Sequence, residues 1–398
     1  MATKAGVGMS YHHNPNVAGR EAAEQALQNA GVDKPDFVFM FASLGYDQHS
    51  LVRAVRETTG GALLTGCSAE GTINGDDADE SNFSVVVTAI SSEQLRWHNG
   101  LVTGLSADPR AVGKRVAKDL LPHLSAETIG LFVFPDGRVD NLYTFFAGLE
   151  DNLPSERFLP LWGGGANTSL SGEGPTYQYC DDEIISDGIS YALLSGEAHA
   201  AWAISHTLIP IGGERIVTRS QGNVIYEIDG NPAVEVLKEY LPEHALVEDR
   251  DWERYAVSLA LCFEAPSYMK DEEYVVRGVP AVRMADGSIT VQTEVPEGTS
   301  IWFSTRDKKK LATGLDRMAA QIKGQLGAEK PKLIFQFECG TRGKMMLRDQ
   351  EKLQFLRQFR QTLGADVPWA GYYTWGEIGP VEEHNLVHLY TSVVLALS

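Results

Sequence analysis

The chain has 398 residues, 43% hydrophobic and 22% charged, a globular composition with room for two or three domains. A formal net charge of −19 excludes a nucleic-acid binder that grips phosphates with Lys and Arg, and equally excludes docking on anionic lipid. No apolar run is long enough to span a membrane, the start lacks a signal-peptide core, and Cys67, Cys180, Cys262 and Cys339 lie far apart; a cytoplasmic protein without a zinc site or disulfide framework is expected.

Taken in order, residues 16–30 have helical apolar spacing with Gly31 as the stop. The run 37–42 reads as a strand buried on both faces. A helix over 49–59 follows, then a short strand over 62–65 that delivers Gly66 and Cys67. A polar loop over 74–82 leads to a β-branched strand over 83–90. The order then returns: helix 106–120, strand 129–134, helix 141–149, and a strand over 158–162 running into Gly163, Gly164 and Gly165. Strands over 189–194 and 198–211 complete this pass. A third pass reads as helix 307–325, strand 333–337, helix 349–363, strand 368–374 and strand 386–397. Between the second and third passes the pattern changes. A strand over 223–228, a helix from Pro232 to about 241, and short strands over 254–263, 274–278, 281–284 and 288–294 read as an antiparallel α+β insert, with a hairpin turn at 285–287. The fold class is therefore α/β, repeated β-α-β units with mixed sheets, divided into residues 1–214 and 215–398.

Three glycine-bracketed strand ends stand out: Gly66–Gly71, Trp162–Asn167 and Thr374–Gly379. Glycine there lets the backbone turn and approach a ligand, and ligands of open α/β sheets bind beyond strand ends. The three are expected to line one pocket, the third at Gly376. Within it Glu70 and Glu377 are read as matched carboxylates able to orient an ammonium. Arg342 is read as a fork for a ligand carboxylate or as a structural ion pair, with Glu377 as the candidate partner. Gly66, Cys67, Ser68, Gly163, Gly164, Asn167 and Thr374 complete the candidate ligand contacts. Neither a P-loop nor a dinucleotide fingerprint is present, and no histidine lies near Cys67 in sequence to activate its thiol.

The Gly-Cys-Ser-x-Glu-Gly at 66, Trp-Gly-Gly-Gly-Ala at 162, Pro-Ile-Gly at 210 and Ile-Asp-Gly-Asn-Pro-Ala at 228 carry a family resemblance. Cys-x-x-Arg-Gly at 339 and Tyr-Thr-x-Gly-Glu-Ile-Gly-Pro at 373 extend it. Together they resemble the FIST sensory domain, N-terminal half at 1–214 and C-terminal half at 215–398. The resemblance implies a cytoplasmic signal-transduction module that binds a small ligand, such as an amino acid or related acid. Its signal would pass to a partner such as a histidine kinase or cyclic-dinucleotide enzyme. A subset resembles haem-containing nitric-oxide sensors that regulate a kinase, for which His206 is the candidate ligand. An enzyme using Cys67 or Glu377 is the alternative from another class; the reading preferred here is a sensor without catalysis.

Overall fold

The opening stretch of chain lays down a unit that recurs. It contains β1 (Lys4–Ser10), α1 (Pro15–Ala30), β2 (Phe37–Ser43), α2 (Gln48–Thr58), β3 (Leu63–Ala69), the hairpin β4 (Thr72–Asn74) and β5 (Asp77–Asp79), and β6 (Val85–Ser91). Local signals set its boundaries. Asn14 accepts the N–H groups of Asn16 and Val17 at the start of α1, Pro15 opens the first turn, and Gly31 ends the helix at φ +63°. The computed structural model describes residues 3–139, 141–154, 158–167, 174–269 and 274–398.

The second copy is β7 (Leu95–Thr103), α3 (Pro109–Leu120), β8 (Thr128–Pro135), α4 (Leu142–Glu150), β9 (Leu161–Gly164), the hairpin β10 (Gln178–Cys180) and β11 (Glu183–Ile185), and β12 (Gly188–Gly196). The third begins with β13 (Ala200–His206) and is interrupted. The interruption contains β14 (Leu208–Gln221), β15 (Val224–Ile228), β16 (Asn231–Pro232), α5 (Ala233–Lys238), β17 (Leu259–Glu264), β18 (Tyr274–Gly278), β19 (Ala281–Arg283), β20 (Ser288–Thr290) and β21 (Ser300–Arg306). The third copy then resumes with α6 (Lys308–Leu326), β22 (Leu333–Cys339), α7 (Asp349–Leu363), β23 (Trp369–Thr374), the hairpin β24 (Glu377–Val381) and β25 (His384–His388), and β26 (Thr391–Leu397).

The chain divides into two units, one running to Ser205 and resuming at Leu315–Ser398, the other spanning His206–Gly314. The compact units do not follow a single cut at 214/215, because the third repeat packs with the first two. In the larger unit the three sheets follow one plan: β1-β6-β2-β3, β7-β12-β8-β9 and β13-β26-β22-β23. Each contains a parallel pair (β2/β3, β8/β9, β22/β23). Each is then extended by a hairpin from another repeat. The first sheet takes β10-β11, the second β24-β25 and the third β4-β5. The exchange is cyclic.

Phe39, Phe132 and Phe335 come from equivalent positions on β2, β8 and β22 and meet one another, with ring centroids 4.8, 4.8 and 5.1 Å apart. They anchor a core shared by all three repeats, which also holds Phe41, Phe134, Trp162, Phe337 and Tyr372. Such rings each contribute roughly 1.5–3 kcal/mol by burial, with about 0.5–1.5 kcal/mol more per favourable pair. The helices pack in pairs on separate cores: α1 and α2 on one, α3 and α4 on another, α6 and α7 on a third. The smaller unit is an antiparallel sheet ordered β18-β17-β21-β14-β15-β20-β19, with β16 on β15 and a core including Val217, Leu237, Trp252 and Phe303.

The α/β repeats match the sequence expectation, and the departures are local. Gly66 and Cys67 lie inside β3 rather than beyond it. The polar stretch 74–82 holds the turn and second strand of a hairpin whose first strand, β4, pairs with β23. The expected strand 198–211 breaks into β13 and β14, and 254–263 becomes a 3-10 turn (Asp249–Arg254) followed later by β17. Gly376–Gly379, read as a turn, mostly forms β24. The strand expected over 386–397 is two strands joined around Tyr390, which sits at φ +57°. The helix after Pro232 ends at Lys238. The stretch 168–172, which did not read as a helix start after the triple glycine, lies outside the described residues.

Candidate functional site

The carboxyl ends of β3, β9 and β23 meet and hydrogen-bond in a ring. Asn167 N–H donates to the Ser68 carbonyl at 3.0 Å, and the Ser68 hydroxyl donates to the Asn167 carbonyl at 2.9 Å. Gly165 N–H donates to the Gly376 carbonyl (2.8 Å), and Trp375 N–H to Gly165 (3.0 Å). Glu70 N–H donates to Tyr373 (3.2 Å), and Tyr373 N–H to Gly71 (2.9 Å). The three glycine-marked segments therefore do come together, joined by their own main chains.

Glycine is required at matched positions just before these ends. Gly66 pairs with Met40, Gly163 with Val133 and Gly371 with Gln336. A Cβ there would lie 1.8, 2.0 and 2.2 Å from the partner's carbonyl oxygen. The third counterpart is thus Gly371 and not Gly376, and the first two serve strand packing. Glu70 and Glu377 are not matched either. Glu377 sits opposite Gly164 across β24/β9, as Gln178 sits opposite Cys67 and Thr72 opposite Tyr372. Glu70 directly follows β3, whereas Glu377 opens the exchanged hairpin strand.

Glu377 is fully buried. Its carboxylate accepts from the Thr374 hydroxyl (2.5 Å), the Thr391 hydroxyl (2.6 Å) and Thr391 N–H (3.1 Å), and among the described residues it forms no ion pair. Burial pushes its pKa up to about 7, against those hydrogen bonds, with the Glu338 charge adding to the rise. Glu70 is also raised to about 7 by burial, opposed by Lys344, whose Nζ lies 3.7 Å away.

Arg342 pairs with Glu338 and not with Glu377. Its Nε donates to Glu338 at 2.5 Å and its Nη1 to the Ser205 carbonyl at 3.2 Å, in a buried setting. Gln336 donates to the other Glu338 oxygen (2.8 Å) and accepts from the Trp369 indole (3.0 Å), so the guanidinium is one end of a structural polar chain. A second buried pair joins Lys352 to Glu80 at 2.6 Å.

Cys67 lies in the aromatic core, where burial pushes its thiol well above the ordinary value. Cys339 is pushed up to about 12 by burial and by the Glu377 charge. Neither thiol is poised to ionise at neutral pH. Gly164 accepts from the Tyr372 hydroxyl at 2.6 Å and packs against Thr374. His206 is buried, and its Nδ1 accepts Leu208 N–H at 3.2 Å, which puts a neutral ring's proton on Nε2. That tautomer offers iron no Nε2 lone pair, so His206 does not fit a haem ligand.

The ring thus gathers Ser68, Glu70, Gly164, Asn167, Thr374 and Glu377. It leaves Gly66, Cys67 and Gly163 in strand packing and Arg342 in its own ion pair. Sequence reading missed Glu338 and Thr391, and it missed Trp375, 46% exposed between β23 and β24. Trp375 was visible inside the motif; Thr391 was hidden within what reads as one strand.

This is a three-repeat α/β protein with a polar ring where its parallel strands end, an architecture suited to a binding module. Family models for the FIST N domain match residues 36–231 and for the FIST C domain residues 233–380, and the chain belongs to the FIST family. FIST domains are associated with sensing small ligands in signalling. The chain is 27% identical over 408 residues to the uncharacterized protein Rv0628c of Mycobacterium tuberculosis, covering 98% of each. It is 25% identical over 412 residues to Mb0898c of Mycobacterium bovis, covering 98% of this chain and 97% of that one. A chorismatase crystal structure aligns with 100% of this chain and 99% of its own at 10% identity, with a TM-score of 0.36. No helix among the described residues is long and apolar enough to cross a membrane.

Proposed function

We propose that this protein is a cytoplasmic sensor that reads a small ligand, an amino acid or related acid, at the strand-end ring and passes the signal to a partner protein. The observation that carries the reading is Glu377, a buried carboxylate held by Thr374 and Thr391 with no cation among the described residues. A ligand ammonium supplies the missing charge, and half-exposed Trp375 offers the adjoining apolar surface. Lys344, which lies 3.7 Å from Glu70 and donates to the Glu80 carbonyl, is more accessible than Arg342 and would turn to the ligand carboxylate. The raised thiols of Cys67 and Cys339 support sensing over covalent catalysis. A histidine kinase or cyclic-dinucleotide enzyme is the proposed output partner.

Thermal-shift screening of amino acids and related acids tests this. A ligand at 100 times its dissociation constant should add about 2.7 kcal/mol of stability. It should emerge chemically unchanged, and Glu377→Gln should abolish the shift. Turnover of a stabilising compound, lost in Glu377→Gln or Cys67→Ala, would replace the sensor with an enzyme.

A further inference from the structure

In the second and third repeats the chain just past the central strand carries a guanidinium that is already paired. Arg138 donates to Asp136 through Nε (3.1 Å) and Nη2 (2.7 Å), and Arg342 donates to Glu338. Arg115 of α3 adds a third guanidinium, donating to the Thr103 carbonyl. The first repeat has none of these. Gly45 lies as far past Met40 as Arg138 past Val133, and Tyr46 as far past Met40 as Arg342 past Gln336. Glu21 follows the Asn14 cap at the interval by which Arg115 follows the Asp108 cap.

Ser43 and Ala42 stand where Asp136 and Glu338 lie, and the carboxylates at this end come from α1 and the β4-β5 hairpin. Glu21 accepts from the Ser10 hydroxyl (2.6 Å), Asp77 from the Tyr11 hydroxyl (2.5 Å) and Asp79 from Ser81 N–H (2.7 Å). None of the three forms an ion pair among the described residues. Neighbouring cations are already engaged: Lys352 donates to the Glu80 carboxylate, the Lys344 ammonium to the Glu80 main-chain carbonyl, and Arg360 to Asp76. Tyr46 is only 5% exposed, and its hydroxyl has no hydrogen-bond partner. Burial first, and then the Asp79 and Glu21 charges, push the pKa of that hydroxyl up. Aromatic rings flank the group: Phe83 meets Tyr46 edge-on at 5.4 Å and stacks with His13 at 4.4 Å, and Tyr11 is 42% exposed. No cluster of His, Cys, Asp or Glu among the described residues is arranged to hold a metal ion.

We propose that this end of the first repeat binds a small organic cation of the guanidinium type, whose charge balances Glu21, Asp77 and Asp79, which form no ion pair among the described residues. Glu21 and Asp79 are its counter-charges, the Tyr46 oxygen accepts one of its N–H groups, and the Tyr11 and Phe83 rings offer cation–π faces. This site is separate from the strand-end ring and stands without it.

Calorimetry on the full chain with agmatine and methylguanidine as probes tests the proposal. Both should bind, and Glu21→Gln and Asp79→Asn should each weaken binding about tenfold or more. Tyr46→Arg, which restores the third repeat's residue, should fold and no longer bind, while Glu377→Gln should leave probe affinity unchanged. Absence of binding to wild type at millimolar probe overturns the site, as does affinity indifferent to Glu21→Gln and Asp79→Asn. Binding lost in Glu377→Gln instead would overturn it too, by moving the probe to the ring.

Discussion

Glu377 shows how far one residue's setting can depart from its sequence context. Its folded pKa near 7 lies above the ordinary 4.5, so between those values the folded protein holds more protons than the unfolded one. Stability from this group is therefore lost as pH rises through that window. Measured against wild type, Glu377→Gln should gain on the order of 3 kcal/mol as pH goes from below 4.5 to above 7. Chemical denaturation across pH reads this directly; a flat difference would mean the carboxylate is not buried as described. Arg342 has the opposite dependence on its partner. Arg342→Ala strands Glu338 in a buried position and should cost about 3–5 kcal/mol in urea melts. A cost below 1 kcal/mol would mean that Glu338 reaches solvent or another partner in the variant.

At the level of elements, the parallel strand pairs were legible because continuous apolar runs such as 37–42 and 129–134 have few other uses. The helices were legible from caps such as Asn14 and stops such as Gly31. The hairpins were not. Asp77, Asp79 and Glu80 make 74–82 look like a solvated loop, and nothing local reveals that its first residue pairs with β23 some three hundred residues later. Only half the site was readable for the same reason: the glycines announce close approach, but not what is approached. That approach can be tested. Gly66→Ala, Gly163→Ala and Gly371→Ala should each cost about 3 kcal/mol or more, since a Cβ meets a partner carbonyl. Gly61→Ala has a positive φ of +72° but open space around it, and should cost only about 1–2 kcal/mol. Equal costs at Gly61 and Gly66 in thermal melts would show that strand contact is not what selects glycine.

Across the whole molecule, the Phe39–Phe132–Phe335 cluster and the exchanged hairpins tie the three repeats into one cooperative body. Phe39→Ala removes a ring that touches both of the others and should cost about 3–5 kcal/mol. The loss should appear in calorimetry as one shifted transition of the larger unit. Separate melting of the first repeat, ahead of the other two, would contradict the shared core.

The cyclic exchange also constrains how the molecule is made. A chain emerging from the ribosome can complete its first sheet once β10-β11 appear, since that sheet waits for nothing later. The second sheet's β9 edge stays open until residues 377–388 have been translated, through the whole of the insert and most of the third repeat. Open strand edges invite pairing with other chains. Nascent chains stalled before β24 should therefore be the ones that recruit chaperones, and a premature stop there should give aggregates rather than a smaller soluble protein.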